Sequence, residues 1–179
     1  MAKIILAGLI LVLGQTGGES LADSIGWLQT YLGGAACAVF EMGASGADLK
    51  QVTEGTEVLF NNCDMTLETS TIIGGTGDLQ SFHISLGQLN PASVALTDGI
   101  KVPTGWITFG EVPTRTLRLA TKGGAKLIDV KVEQYGENAP APQQFKASEI
   151  NIHIRNKDTA DQVAKAMTQA ITLCGAKNQ

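Results

Sequence analysis

Two histidines are the residues of this sequence best suited to acid–base or metal chemistry. His83 and His153 each lie in the middle of an alternating segment, among the polar positions that face outward. Neither belongs to an H-x-x-H or H-E-x-x-H motif, and neither has a carboxylate at metal-ligand spacing. This pattern is typical of solvated strand histidines, so the sequence predicts no histidine-based catalytic or metal site.

The three cysteines, Cys37, Cys63 and Cys174, could serve either as nucleophiles or in a disulfide. Cys63 and Cys174 fall on apolar faces of their predicted elements, where thiols are ordinarily unreactive. In an oxidising compartment an odd number of cysteines gives either one bridge and one free thiol or three buried thiols. The residues alone leave both alternatives open.

A glycine-rich run and a set of carboxylates are the other patterns that could carry chemistry. The Gly-Gly-Thr-Gly run at 74–77 lacks the Gly-Lys-Ser/Thr and the following helix of a phosphate-binding loop. Asp64, Glu68 and Asp78 lack the spaced acidic pattern of a calcium loop, which makes them surface carboxylates. The sequence therefore predicts no catalytic residue, no metal and no cofactor, and the protein is expected not to be an enzyme.

The first residues of the chain have the pattern of a signal peptide. Lys3 precedes an apolar run from Ile4 to Leu13, which is as long as a signal-peptide core and shorter than the about 20 residues of a membrane span. A buried N-terminal strand and a retained anchor are the alternatives. The pattern favours export to the periplasm or the medium, with a signal peptide at 1–18 whose boundary could extend to 22.

The charge of the chain argues against nucleic-acid and anionic-membrane partners. Removing Lys3 with the leader leaves 12 Lys and Arg against 17 Asp and Glu, a net charge of −5. Such partners require clustered cations, and the basic residues here are dispersed along the sequence. We therefore expect no nucleic-acid binding and no membrane insertion after the leader is removed.

The strongest structural signal lies near the end of the chain. Isoleucines at alternate positions within 149–155 predict a strand with one buried face. Asp158 is predicted to be the N-cap of a helix that starts near Thr159, and Gly175 is predicted to end it. We expect this helix to cover a β core. Its apolar stripe consists of Ala160, Val163, Ala164, Met167, Ala170, Ile171 and Cys174.

A short amphipathic helix is predicted at 20–32. Ser20 is its expected cap, and Gly33 and Gly34 follow its last leucine. Trp27 lies beside the apolar stripe, so it is expected to pack against the sheet rather than to bind a ligand. The stripe consists of Leu21, Ile25, Leu28 and Leu32.

From 35 to 132 the pattern has period two with turn signals at short intervals, which predicts an antiparallel β domain. Leu117 and Leu119 are expected to face the apolar residues of 128–132 across a hairpin. The segment 136–144 contains two prolines and is expected to be a loop.

Four segments together resemble a known group of proteins. They are Ser-Leu-Ala-Asp-x-x-x-Trp-Leu at 20–28, Val-Leu-Phe-Asn-Asn-Cys at 58–63, Leu-Asn-Pro-Ala-Ser-Val at 89–94, and the alanine-rich helix that ends in Leu-Cys-Gly at 160–175. They are similar to uncharacterised exported bacterial proteins with a pleckstrin-homology-like barrel and a capping C-terminal helix. The resemblance implies a fold and export, and it implies no activity.

The expected fold is therefore α+β and mainly antiparallel β. It is a pleckstrin-homology-like barrel or a strongly bent sheet of seven to eight strands, with a short N-terminal helix and a capping C-terminal helix. We expect one domain, at 19–179. Cys63 and Cys174 both lie in the segments that resemble the group, so we expect a bridge between them, with Cys37 as the buried third thiol.

Two classes of function follow. The favoured one is a non-catalytic exported module that binds an unknown protein, peptide or small ligand at a sheet edge or beside the C-terminal helix. The alternative is a small exported hydrolase-like enzyme. It would require His83 or His153 to meet a carboxylate or a thiol in a cleft.

Overall fold

The computed structural model describes residues 20–32, 36–42, 51–73, 76–99, 101, 106–110, 112, 115–137, 139–154 and 156–176, with backbone alone at 36–42, 51–54, 73 and 106–110. The predicted signal peptide lies outside the described residues. In chain order the elements are α1 (Leu21–Leu32), β1 (Ala36–Met42), β2 (Gln51–Asn61), β3 (Asp64–Ile73), β4 (Thr76–Ser85), β5 (Ala95–Asp98), β6 (Trp106–Gly110), β7 (Arg115–Ala120), β8 (Ile128–Tyr135), β9 (Gln143–Ala147), β10 (Glu149–Ile154) and α2 (Ala160–Ala176).

The strands pair antiparallel, as predicted for the α+β chain, but they form two sheets instead of one barrel or one bent sheet. The larger sheet has seven strands in the order β6-β1-β2-β3-β4-β8-β9, and the smaller has three in the order β10-β7-β5. One core of buried apolar side chains draws on both helices, on the larger sheet and on the smaller sheet. Its largest fully buried members are Leu28, Met65, Leu67, Ile84, Leu86, Leu89, Leu117, Leu119, Ile128, Ile152, Ile154 and Met167.

The larger sheet does not close into a barrel, because it ends at β6 on one side and at β9 on the other. The expected hairpin between β7 and β8 is also wrong. β7 pairs with β5 and β10, whereas β8 pairs with β4 and β9, so the two strands belong to different sheets. The expected seven to eight strands become ten in the described part of the chain. One of them, β9, begins at Gln143, inside the predicted loop.

After β7 the chain changes sheet twice more, and these two crossings touch. Gly123 and Gly124 have positive φ angles, which turn the chain out of β7. The Thr121 backbone N–H donates to the carbonyl of Ser148, where the chain leaves β9 for β10, at 2.9 Å. The buried Thr121 hydroxyl lies within hydrogen-bond distance of the Ala125 and Ser148 carbonyls. These contacts, rather than a hairpin, determine the path of 121–127.

The N-terminal helix is confirmed with its cap. The Ser20 backbone N–H donates to the Asp23 carboxylate, and the Asp23 backbone N–H donates to the Ser20 hydroxyl, which is a reciprocal capping box. The Ser20 hydroxyl also donates to this carboxylate, and the side-chain and backbone bonds from Ser20 together lower the pKa of Asp23. Trp27 packs against the core as expected and stacks on Tyr31.

Gln29 explains where this helix docks. β1 pairs with β2 only as far as Thr56, so on that side the backbone of the following β2 residues has no strand partner among the described residues. The Gln29 amide supplies the missing groups: it donates to the Val58 carbonyl at 3.2 Å and accepts from the Phe60 N–H at 2.9 Å. One helix side chain thus continues the strand pairing.

Ser24 is only 1% exposed, and its buried hydroxyl has no hydrogen-bond partner among the described residues. We expect Ser24→Ala to raise the free energy of unfolding by about 1 kcal/mol, because it removes an unsatisfied polar group and favours helix. Ser20→Ala in the same helix should lower the free energy of unfolding by about 1 kcal/mol, because it removes the cap. Urea unfolding of both variants checks this difference in sign, and a loss of stability in both would contradict it.

The C-terminal strand and helix match the sequence pattern, with changes at the helix ends. The three isoleucines of β10 are buried, as predicted. Asn156, not Asp158, is the capping residue, since its side chain accepts from the Asp158 N–H in a 3-10 turn that leads into α2. The helix also runs through Gly175 instead of ending there. Its stripe is buried as predicted, apart from the partly exposed Ala164, and it also includes Ala166.

Candidate ligand-binding groove

A groove with a volume of about 520 Å³ lies on the larger sheet across β3, β4, β8 and β9. Its polar side chains belong to the face opposite the core, because they alternate along the strands with buried residues such as Met65, Leu67 and Ile84. We call this surface the outer groove. Its polar lining consists of Thr66, Ser81, His83, Asp129, Lys131, Gln144 and Lys146.

Strand register brings these side chains together from distant parts of the sequence. Thr66 lies opposite His83, His83 opposite Asp129, and Asp129 opposite Lys146, so these four form one row across the sheet. In the neighbouring row Ser81 lies opposite Lys131, and Lys131 lies opposite Gln144. Directly opposed side chains in antiparallel sheets are within contact distance.

The charges of the outer groove are paired but accessible. Lys146 forms an ion pair with Asp129, and both side chains are more than half exposed. Lys131 forms an ion pair with Glu133 at 2.7 Å. The hydrogen bond to Glu133 and the negative charge of that carboxylate raise the pKa of Lys131 and keep it cationic. Exposed pairs of this kind are weak, so a ligand can replace one partner at little cost.

His83 is exposed on the outer face, as predicted, but it is not isolated. Asp129 is its direct neighbour on β8, and Ser81 lies two residues away on the same face of β4. Sequence spacing could not reveal this neighbourhood, because it depends on the pairing of β4 with β8. Asp129 is engaged by Lys146, and the Ser81 hydroxyl donates to Glu68.

His153 is in the smaller sheet, away from the outer groove. Its Nδ1 lies 3.0 Å from the Thr116 hydroxyl oxygen on the neighbouring strand β7. The side chain is partly buried. Its position is that of a strand residue hydrogen-bonded to a cross-strand partner.

Cys63 and Cys174 lie at disulfide distance, with Cα atoms 5.6 Å apart. This meets the geometric requirement of the expected bridge, since Cα separations beyond about 7 Å cannot be bridged without backbone movement. Cys63 is in the turn between β2 and β3, and Cys174 is in the last turn of α2. Cys37 lies in β1, and its side chain is outside the described residues.

The three carboxylates singled out from the sequence do not gather around a cation. Asp64 and Asp78 lie at opposite ends of the β3–β4 pair, where they face Ser85 and Thr71 respectively. Glu68 lies between them and accepts from Ser81. Within the described ranges, no group of three His, Cys, Asp or Glu side chains is arranged to hold a metal ion.

No helix among the described residues is both long and apolar enough to cross a membrane. The chain matches no protein-family model, no curated protein and no solved structure.

Proposed function

We propose that the protein is an exported, non-catalytic binding module that takes a small carboxylate ligand in the outer groove. The observation that carries this proposal is the charge of the groove lining. Two lysines, Lys131 and Lys146, line the groove, and each is paired only with a partly exposed carboxylate, that of Glu133 or Asp129, which a ligand carboxylate could replace. Lysines held only by exposed ion pairs remain available for a charge-assisted hydrogen bond to an anionic ligand.

The size and chemistry of the outer groove support a small ligand. Its volume of about 520 Å³ lies within the range of about 300 to 1,000 Å³ that is usual for small-molecule sites. The hydroxyls of Thr66 and Ser81 and the amide of Gln144 line the same groove as the two lysines. They can donate to and accept from hydroxyl or carbonyl groups of a ligand whose carboxylate binds the lysines.

The ligand carboxylate would take the place that Asp129 holds at Lys146. This exchange conserves the charge-assisted hydrogen bond of the lysine. It would also free Asp129 to accept from a ligand hydroxyl. The proposed ligand is therefore a carboxylic acid that also carries hydroxyl groups.

Citrate is a suitable probe, because it has three carboxylates and one hydroxyl. In an amide NMR titration we expect saturable shift changes at His83, Lys131 and Lys146. Lys146→Met should weaken citrate binding about tenfold or more, because it removes one charge-assisted hydrogen bond and leaves Asp129 unpaired beside the ligand. The matched control is Lys126→Met, which changes an exposed lysine outside the groove.

Three results of the citrate titrations would reject the carboxylate proposal. They are shifts that do not saturate, shifts that lie away from β4, β8 and β9, and an equal loss of affinity in the two lysine variants. Inorganic phosphate and glucuronate, titrated separately, separate a general anion effect from recognition of a carboxylate. Binding of phosphate as tight as that of either carboxylate would also reject it.

Export and membership in the pleckstrin-homology-like group are part of the proposal. The leader-like run at 4–13, the resemblance of four segments and the close approach of Cys63 and Cys174 all support export. Disulfides persist mainly in oxidising compartments. α2 packs on antiparallel strands, as the capping helix of the resemblance would, whereas the larger sheet is not closed into the barrel that the resemblance implies.

The hydrolase alternative is favoured by one observation, the meeting of His83, Asp129 and Ser81 in the outer groove. Their hydrogen bonds point elsewhere, since Asp129 accepts from Lys146 and Ser81 donates to Glu68. A nucleophile normally donates to its base and the base to an orienting carboxylate. Labelling of Ser81 by a fluorophosphonate probe would replace the binding proposal with a hydrolase.

A further inference from the structure

β9 is an edge strand with exposed side chains. One side of its backbone pairs with β8, and no described strand pairs with the other side. Phe145, at its centre, is 52% exposed on the face that elsewhere forms the core. An edge strand with an exposed aromatic side chain is a template for pairing with another strand.

The sequence of β9 is complementary to itself in one antiparallel register. In Gln143-Gln144-Phe145-Lys146-Ala147, a two-fold axis at Phe145 places this side chain opposite Phe145 of a second copy. Gln144 then faces Lys146 of the second copy, and Gln143 faces Ala147. No pair of like charges is opposed, and the central aromatic pair is favourable across strands. A shift of the axis to position 146 would instead place Lys146 of one copy directly opposite Lys146 of the other.

The apolar row that ends at Phe145 would continue through this axis. Leu67, Phe82, Val130 and Phe145 lie opposite one another on successive strands of the larger sheet. Leu67 and Val130 are buried and Phe82 is partly buried, so exposure rises at the edge of the sheet. Pairing of two copies would place Phe145, the exposed end of the row in one copy, against Phe145 at the end of the same row in the other copy.

We propose that two copies of this chain pair through β9, antiparallel and centred on Phe145, and so form one continuous sheet. Pro142 limits the pairing at one end because it has no N–H to donate. Ser148 limits it at the other, where the chain leaves for the smaller sheet and the Ser148 carbonyl accepts from Thr121. The pairing therefore involves the five residues of β9.

This dimer does not depend on what the outer groove binds, but it affects the groove. Gln144 and Lys146 line the groove and lie in β9. In the dimer each Lys146 would be next to Gln144 of the second copy. The two grooves would then lie on the same face of one sheet and meet at the axis.

Sedimentation equilibrium over a wide range of protein concentration, without added carboxylate, tests the proposal. We expect a monomer–dimer equilibrium for the unchanged protein. We expect Phe145→Lys to be a monomer, because it would place two positive charges opposite each other at the two-fold axis. The matched control is Tyr135→Lys, which changes an equally exposed aromatic residue (53%) on β8. It should leave the equilibrium unchanged. Circular dichroism should show that both variants are folded.

A change of charge at Gln144 tests the register itself. Gln144→Glu would place a carboxylate opposite Lys146 at both symmetry-related positions of the dimer. We therefore expect the dissociation constant of the dimer to fall about twofold to thirtyfold. Gln134→Glu adds the same charge to an exposed residue of β8, and should not tighten the dimer. Hydrogen exchange should show β9 amides protected more strongly as the concentration rises.

Several results would overturn the dimer. A monomer at every concentration is one, and a dimer that survives Phe145→Lys is another, because it uses a different surface. Equal effects of Gln144→Glu and Gln134→Glu would reject the register. A monomer whose β9 amides become protected only when a foreign peptide is added would assign the edge to that peptide instead.

Discussion

Met167→Asp is expected to lower the free energy of unfolding by about 4 kcal/mol or more, because it places an unpaired carboxylate in the core. Met167 is 0% exposed and lies at the middle of the buried stripe of α2. A typical domain is stable by about 5 to 15 kcal/mol, so this one change removes much or all of the margin. Thermal or urea unfolding, followed by circular dichroism, measures the loss.

Two controls separate burial from helix effects in this experiment. Met167→Leu keeps the volume and polarity and should cost less than about 1.5 kcal/mol. Gln162→Asp introduces the same carboxylate at an exposed position of the same helix and should change stability by about 0.5 kcal/mol or less. An unchanged melting temperature for Met167→Asp would contradict the packing of α2 on the core.

Loss of the bridge between Cys63 and Cys174 is expected to cost about 4 to 5 kcal/mol, because chain-entropy theory assigns this value to a closed loop of this length. The two residues are separated by 111 positions. Cys174→Ala should therefore lower the urea midpoint strongly under oxidising conditions. Under reducing conditions it should have a much smaller effect, since the parent protein then lacks the bridge as well.

Peptide mapping without reductant provides the direct test. We expect a linked pair of peptides containing Cys63 and Cys174, and Cys37 as a free thiol. Cys37→Ala should leave this link intact. Recovery of Cys63 and Cys174 as free thiols after denaturation with alkylation would reject the bridge.

On protein from its native host, the same peptide map should locate the mature N-terminus between about Gly17 and Asp23, as expected from the usual length of a leader.

Features with local causes were predictable from the sequence. The capping box of α1 depends on Ser20 and Asp23, three residues apart, and the buried isoleucines of β10 depend on simple alternation. The buried face of α2 follows from helical spacing. The ends of α2 were less predictable, because Asn156 caps the turn that leads into the helix and the helix continues past Gly175.

Features that depend on long-range pairing were not predictable. Leu117 and Ile128 are near each other in sequence and equally apolar, yet they belong to different sheets. β9 has few β-branched or aromatic residues and follows two prolines, so it had no strand signal of its own. The outer groove requires β9 and the pairing of β4 with β8, and no spacing within one segment encodes either.

The position of the Cys63–Cys174 pair also affects the order in which the chain must mature. Cys37 and Cys63 both precede β3, whereas Cys174 belongs to α2, which follows all the described strands in the sequence. In a chain that is translocated with its N-terminus first, an oxidase meets the first two thiols before the third arrives. Linking Cys37 to Cys63 would take away the sulfur that α2 needs. If the chain is exported as proposed, correct maturation requires either folding ahead of oxidation or an isomerase that exchanges the early bond for the late one.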